Sequence, residues 1–98
     1  MQKHGQIFLK RLRSAVGERR EAITANVIRL LREEREKRGL SMTVVAQRSG
    51  LSQSIISLIE RDLRNPTLDT LLRIADAIEI DLGEILAQAR KEIPKSAK

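Results

Sequence analysis

The sequence predicts an all-α fold, five core helices preceded by an extra amphipathic one. Apolar residues recur at three- and four-residue spacings from residue 23 to residue 89. Glycine and short capping residues punctuate that pattern at regular intervals. No segment carries the period-two alternation of a strand, and there is no internal repeat or low-complexity tract.

The first core helix is expected from Glu21 to Arg38, with Ile23, Val27, Leu30 and Leu31 on one side and Gly39 as its stop. The second runs from Met42 to Arg48 and places Val45 and Ala46 where a short helix must press on a neighbour. Gly50 then breaks the chain, since glycine takes the positive φ of a tight turn at little steric cost. Ser52 follows as an N-cap. The third helix buries Ile56 and Ile59 and turns Gln53, Ser54, Ser57 and Leu58 outward. Pro66 and Thr67 open the fourth, with Thr67 as cap and Leu68, Leu71, Leu72, Ala75 and Ile78 at helical spacing. The fifth starts at Asp81, where Asp81 and Glu84 form a capping-box-like pair before Ile85, Leu86 and Ala89; Pro94 marks the end of order.

Ahead of the core, Phe8, Leu12, Ala15 and Val16 share one helical face and alternate with Lys10, Arg11 and Arg13, a short basic helix ending near Gly17. Three roles fit it: packing on its own domain, packing on a partner subunit, or lying on an acidic surface such as a membrane. Packing within a dimer is favoured, because about a dozen residues bury little apolar area in a membrane. The expected organisation is a basic N-terminal extension over 1–22, a helix-turn-helix domain over 23–89 and a basic tail over 90–98.

Charge follows this division. The 98 residues carry a net +6, yet residues 1–22 hold six Lys/Arg against two Glu and residues 87–98 hold four against one, leaving nine basic and ten acidic groups between. The central domain is near neutral, so phosphate binding depends on where its arginines sit. With no cysteine, disulfides and thiolate metal sites are ruled out. No apolar run approaches the roughly 20 residues of a membrane span, and the N-terminus has no signal-peptide core; a cytoplasmic protein is expected.

Catalysis has little to build on. The single histidine, His4, precedes the core, so no Ser-His-acid or Cys-His arrangement assembles there. Acidic residues are scattered beside Arg and Lys instead of grouped as oxygen ligands, and neither a metal nor a cofactor is expected. Phe8 is the one aromatic residue, which excludes a stacking platform for single strands.

The third helix carries the functional signal. Its outward residues are mostly short, uncharged and hydrogen-bonding, a surface suited to base edges in a major groove. Gln53, at its start, can accept and donate in the pattern of adenine N6 and N7. Ser54 can reach a base or a phosphate. Leu58 suits a thymine methyl, a dimer contact or an ordinary exposed position.

The spaced residues Leu31, Arg35, Gly39-Leu40-Ser41, Val45-Ala46, Gly50-Leu51-Ser52, Ile56-Ser57, Ile59-Glu60-Arg61, Arg64-Asn65-Pro66, Leu68, Leu71, Leu72, Ile74 and Ala75 resemble the Xre/Cro-like helix-turn-helix family. That family includes lambda-repressor-like phage proteins and the controller proteins of restriction-modification systems, and the resemblance covers about two thirds of the chain. It implies a five-helix lambda-repressor-like domain in which Gln53 reads a base and Ser52, Arg61, Arg64 and Asn65 meet the sugar-phosphate backbone, with Arg48 a further backbone candidate. Arg35 and Glu60 match a family ion pair that sets the angle of the third helix. Two positions depart. Met42 replaces a usual glutamine, which removes a phosphate clamp and a side-chain bridge to the first recognition residue. Asp62 replaces a frequent glycine and puts an acid near the expected phosphate path.

These readings converge on a transcriptional regulator that binds double-stranded DNA through the helix Gln53 to Glu60, as a homodimer on a palindromic operator. Ile80, Leu82, Ile85, Leu86 and Ala89 are expected to form the dimer contact, extended by Phe8 and Leu12. The alternative is a protein-interaction module, antitoxin-like or adaptor, that binds a protein partner through exposed Ile55, Leu58 and Leu63.

Overall fold

Charge pairing gives the first helix its length. In α1 (Glu18–Lys37), Arg29 pairs with Glu33, Arg32 with Glu36 and Arg38 with Glu34 at 3.0, 3.3 and 3.4 Å, each four residues apart. Such exposed pairs add about 0.2–0.5 kcal/mol apiece to a helix. Glu18 and Glu21 in the first turn and Arg35 and Lys37 in the last complement the helix dipole. The helix therefore starts at Glu18, ahead of the expected Glu21, and crosses the 22/23 division. The computed structural model describes residues 17–93. The expected helix around Phe8 to Val16, the contacts of Phe8 and Leu12 and the tail from residue 94 lie outside the described residues.

Four shorter helices follow, α2 (Met42–Ser49), α3 (Gln53–Glu60), α4 (Leu68–Ala77) and α5 (Leu82–Lys91). Each starts on a side chain that accepts a backbone N–H: Ser41 from Val44, Ser52 from Ile55, Thr67 from Thr70 and Asp81 from Gly83. Three helices end alike. After α1, α3 and α4, the residues Gly39, Asp62 and Glu79 adopt φ of 68°, 59° and 61°. The next amide then reaches back, Leu40 to Arg35 O, Leu63 to Leu58 O and Ile80 to Ala75 O. This Schellman closure satisfies helix-end carbonyls and needs a left-handed residue, a conformation that glycine adopts freely and that the side chains of Asp62 and Glu79 oppose.

Val27, Ile28 and Leu31 of α1, Val45 of α2, Ile56 and Ile59 of α3, Ile74, Ala75 and Ala77 of α4, Ile78 just after it, and Leu82, Ile85 and Ala89 of α5 form one core. The longest helix–helix packing joins α1 to α5; α2 packs on α3 and α4, and α1 also touches α3. Asn26 Nδ2 donates to Ala89 O at 3.1 Å and Arg29 pairs with Glu92, which locks α1 to the end of α5. Two expectations change here. Leu82, Ile85 and Ala89 are consumed by the chain's own core, leaving Leu86 at 36% exposure instead of a broad unburied stripe. Leu68 and Leu72, expected inward, are 64% and 44% exposed, because α4 rolls Ile74, Ala75 and Ala77 into the core and these leucines, one turn apart, fall on the flank. No helix among the described residues is long and apolar enough to cross a membrane.

Candidate nucleic-acid interface

The turn between α2 and α3 is held from three sides. Gly50 takes φ 77°, and a Cβ there would meet Arg73 Nη1 at 3.4 Å. Arg73 itself donates to Ser49 O at 3.2 Å while pairing with Asp69, so α4 grips the end of α2. The buried Ser49 hydroxyl accepts from Leu51 N–H at 3.2 Å. With Ser52 capping the next helix, this turn leaves α3 no freedom in where it starts.

Its far end is fixed by an ion pair. Arg35 Nε and Nη2 donate to Glu60 Oε2 and Oε1 at 2.7 and 2.9 Å, and Arg35 Nη1 donates to Leu40 O at 2.8 Å. The side chains are 11% and 10% exposed. Hydrogen bonding to Glu60 raises the pKa of Arg35 above its ordinary value despite the opposing effect of desolvation. The fork-to-carboxylate geometry transmits the position of α1 to the last residue of α3.

Between these anchors, Gln53 and Ser54 are exposed on the first turn of α3. Ser57 and Leu58, expected outward, are half-buried; the chain after α3 returns beside them, Leu63 N–H bonding to Leu58 O at 2.9 Å. Gln53 is not alone. Thr43, the second residue of α2, donates from Oγ1 to Gln53 Oε1 at 3.1 Å. Met42 packs against the core, as its side chain demands, and the bridge expected to be missing is rebuilt one position later. In the sequence, Thr43 is marked only as a hydroxyl residue in the first turn of α2, facing a capped helix start.

The basic candidates separate into two groups. Arg61, Arg64 and Asn65 are exposed at and beyond the end of α3. Arg64 and Asn65 line an open groove of about 510 Å³ whose other wall is the start of α1, including Arg20, Glu21 and Thr24. The Ser52 hydroxyl accepts from Ile55 N–H at 3.1 Å, which leaves its own proton for a phosphate oxygen. Arg48, also exposed, donates from Nη1 to Ala77 O at 3.1 Å, beside Arg38 Nη1 donating to Ile78 O at 3.0 Å. Both arginines satisfy carbonyls at the end of α4, where positive charge also suits the helix dipole. Arg38 and Arg73 were invisible as structural groups in the sequence, since a capping arginine and a solvated one have the same composition.

The apolar trio of the interaction-module reading does not form one exposed face. Ile55 packs against the core, Leu58 is half-buried, and Leu63 alone is exposed, at 38%.

Comparison with known proteins follows the same geometry. The helix-turn-helix family profile matches residues 31–85, from the middle of α1 into α5. An HTH-type transcriptional regulator of Sinorhizobium fredii is 39% identical over 67 residues, covering 68% of this chain and 82% of the relative. One of Mycobacterium tuberculosis is 37% identical over 59 residues, 60% of this chain and 42% of its own length. The immunity repressor protein of Bacillus phage phi105 is 37% identical over 54 residues, 55% of this chain and 38% of that protein. The match thus spans less than half of the mycobacterial and phage proteins. No solved structure gives a significant match.

Proposed function

The chain belongs to the Xre/Cro-like helix-turn-helix family of non-enzymatic, DNA-binding transcriptional regulators, and on that premise we propose that it reads operator sequence through the first turn of α3. The observation that carries this reading is the exposed pair Gln53 and Ser54 on a helix whose two ends are both anchored, at Ser52 and at Glu60. Gln53 offers one acceptor and two donors to the adenine N6/N7 edge, Ser54 adds a hydroxyl, and Leu58 contributes apolar contact at the half-buried margin.

Ser52, Arg61, Arg64 and Asn65 serve the backbone. Charge and amides at the ends of a recognition helix set register without reading sequence, and they make binding depend on salt. Arg48 is the weaker backbone candidate, since its Nη1 is taken up by Ala77 O at the end of α4. Arg35 and Glu60 act behind the interface by holding the tilt of α3.

One recognition helix reads only a few base pairs, so specificity in a genome calls for two half-sites and a two-fold dimer on a palindromic operator. A cytoplasmic place goes with that role.

The test is selection of bound sites from random duplex DNA by the wild-type chain and by Gln53→Ala. A palindromic motif from the first, relaxed at one base pair per half-site in the second, is the expected result. An unchanged motif in Gln53→Ala would remove Gln53 from the reading face.

A further inference from the structure

We propose that the groove between the start of α1 and the chain after α3 is the seat of the protein's own basic N-terminal segment, residues 1–16, held there by an ion pair between Arg13 and Glu21. The groove measures about 510 Å³; Arg20, Glu21, Thr24 and Ala25 line one wall and residues 62–66 the other. Its charges are sorted by depth. Arg20 and Arg64 are exposed on the rim, whereas Glu21 and Asp62 are half-buried.

Glu21 carries the argument. Its Oε1 is shut off from solvent and accepts no hydrogen bond from the described residues, so neither rim arginine donates to it. A buried carboxylate oxygen without a donor is a costly arrangement, and it calls for a cationic group from elsewhere. Apolar surface accompanies it. Leu63 is 38% exposed and shares the lining with Ala25 and Pro66.

The occupant is identified by where the chain enters. Gly17 is buried and itself lines the groove, so the residues ahead of it emerge at the groove's edge. Residues 1–16 carry Lys3, Lys10, Arg11 and Arg13 and no acid, the complement of the half-buried carboxylates. Arg13 is the first charged residue upstream of Gly17. Four residues of extended chain span at most about 14 Å, which brings its guanidinium within reach of Glu21, and that planar fork matches a carboxylate. Phe8 and Leu12 share the apolar face of the segment, and Leu63 gives them surface to cover. A segment tethered at the edge of the groove acts at high effective concentration, which favours it over a second copy or a free cation.

The chain has no tryptophan, so Phe8→Trp in the full chain supplies a single fluorescent reporter. It is combined with Arg13→Glu, with Glu21→Arg, with both reversals together, and with Leu63→Asp; Leu12→Trp serves as a second reporter. Acrylamide quenching is read over a range of protein concentrations, with helicity and melting followed in parallel. The reporters should be protected in the otherwise unchanged chain, at a level independent of concentration. Protection should be lost in Arg13→Glu, in Glu21→Arg and in Leu63→Asp, and the double reversal should restore it, which general loosening of the segment would not do. None of the altered positions belongs to the buried core of the described residues, so helicity should hold. If Glu21→Arg melts the domain, Arg13→Glu and Leu63→Asp decide the same question.

Reporters quenched as readily in the unchanged chain as in the reversals overturn the proposal. So does protection that survives both Arg13→Glu and Leu63→Asp, which would put the segment on another surface. Protection that rises with protein concentration also overturns it and gives the groove to the segment of a second copy.

Discussion

Arg35 and Glu60 are 25 positions apart in the chain, yet the guanidinium of one meets both carboxylate oxygens of the other, at 2.7 and 2.9 Å. Because Arg35 also donates to Leu40 O, one side chain ties the body of α1, the chain just beyond its end and the last residue of α3 together. Removing one member of a pair with so little solvent strands the other charge. Glu60→Ala should therefore destabilise the domain by about 3 kcal/mol, the lower end of the range for broken buried pairs. Urea denaturation checks the figure. A double Arg35→Met, Glu60→Leu variant should lose less than Glu60→Ala, since it leaves no unpaired charge. Equal losses in both would mean that the pair contributes attraction and little desolvation cost.

Glu79 offers the opposite change, a stabilising one. It is exposed at φ 61°, in the left-handed position that closes α4. The left-handed conformation costs a residue with a Cβ about 1–2 kcal/mol, and glycine returns roughly half of that as backbone entropy. Glu79→Gly should raise stability by about 1 kcal/mol, whereas Glu79→Ala, which keeps the Cβ, should not. Parallel denaturation curves decide this, and a destabilised glycine variant would show that the Glu79 side chain contributes more than its backbone costs.

The fate of the arginines separates fold from function. Arg48→Gln removes a donor to Ala77 O and should cost about 1 kcal/mol of stability, the usual worth of one such bond. It should leave the salt dependence of DNA binding unchanged. Arg61→Ala and Arg64→Ala should do the reverse, each keeping stability within about 0.5 kcal/mol and flattening the log-log salt slope by about 0.9. Salt titrations of all three, set beside their melting curves, test the assignment. An Arg48 variant with a reduced slope would return that residue to the phosphate path.

These contrasts mark where the sequence was legible. Ser52, Thr67 and Asp81 announced their helices because a cap acts within three residues of itself, and Gly50 announced the turn for the same reason. Val45, Ile56, Ile59 and Ile85 followed from helical periodicity, which is local too. Arg35 and Glu60 emerged through the family pattern, not through spacing. What stayed hidden is long-range. Whether Arg48 points to solvent or to Ala77 depends on where α4 lies, 29 positions on. Whether Leu72 or Ile74 enters the core depends on the roll of a ten-residue helix whose apolar residues ring more than half its surface. The Thr43 to Gln53 bond depends on the crossing of two helices, a geometry that the turn sets but no single residue type reports.

Two half-sites of a palindrome repeat about 34 Å apart along one face of the duplex, so two copies of α3 must present themselves at that spacing. The core takes Leu82, Ile85 and Ala89 of α5 and leaves Leu86 exposed at 36%, with exposed Ala87 beside it. That is a small surface for a stable dimer in free solution, where specific interfaces bury on the order of 800 Å² per partner. DNA supplies the missing free energy by holding both copies on one site, an effective-concentration gain that needs few protein contacts. Sedimentation should therefore show two chains on a full palindrome, bound cooperatively, and mostly single chains without DNA at low micromolar concentration. Leu86→Glu should abolish cooperativity while leaving the affinity for an isolated half-site within about twofold, since it alters no group on the reading face. Cooperativity that survives Leu86→Glu would move the contact away from α5.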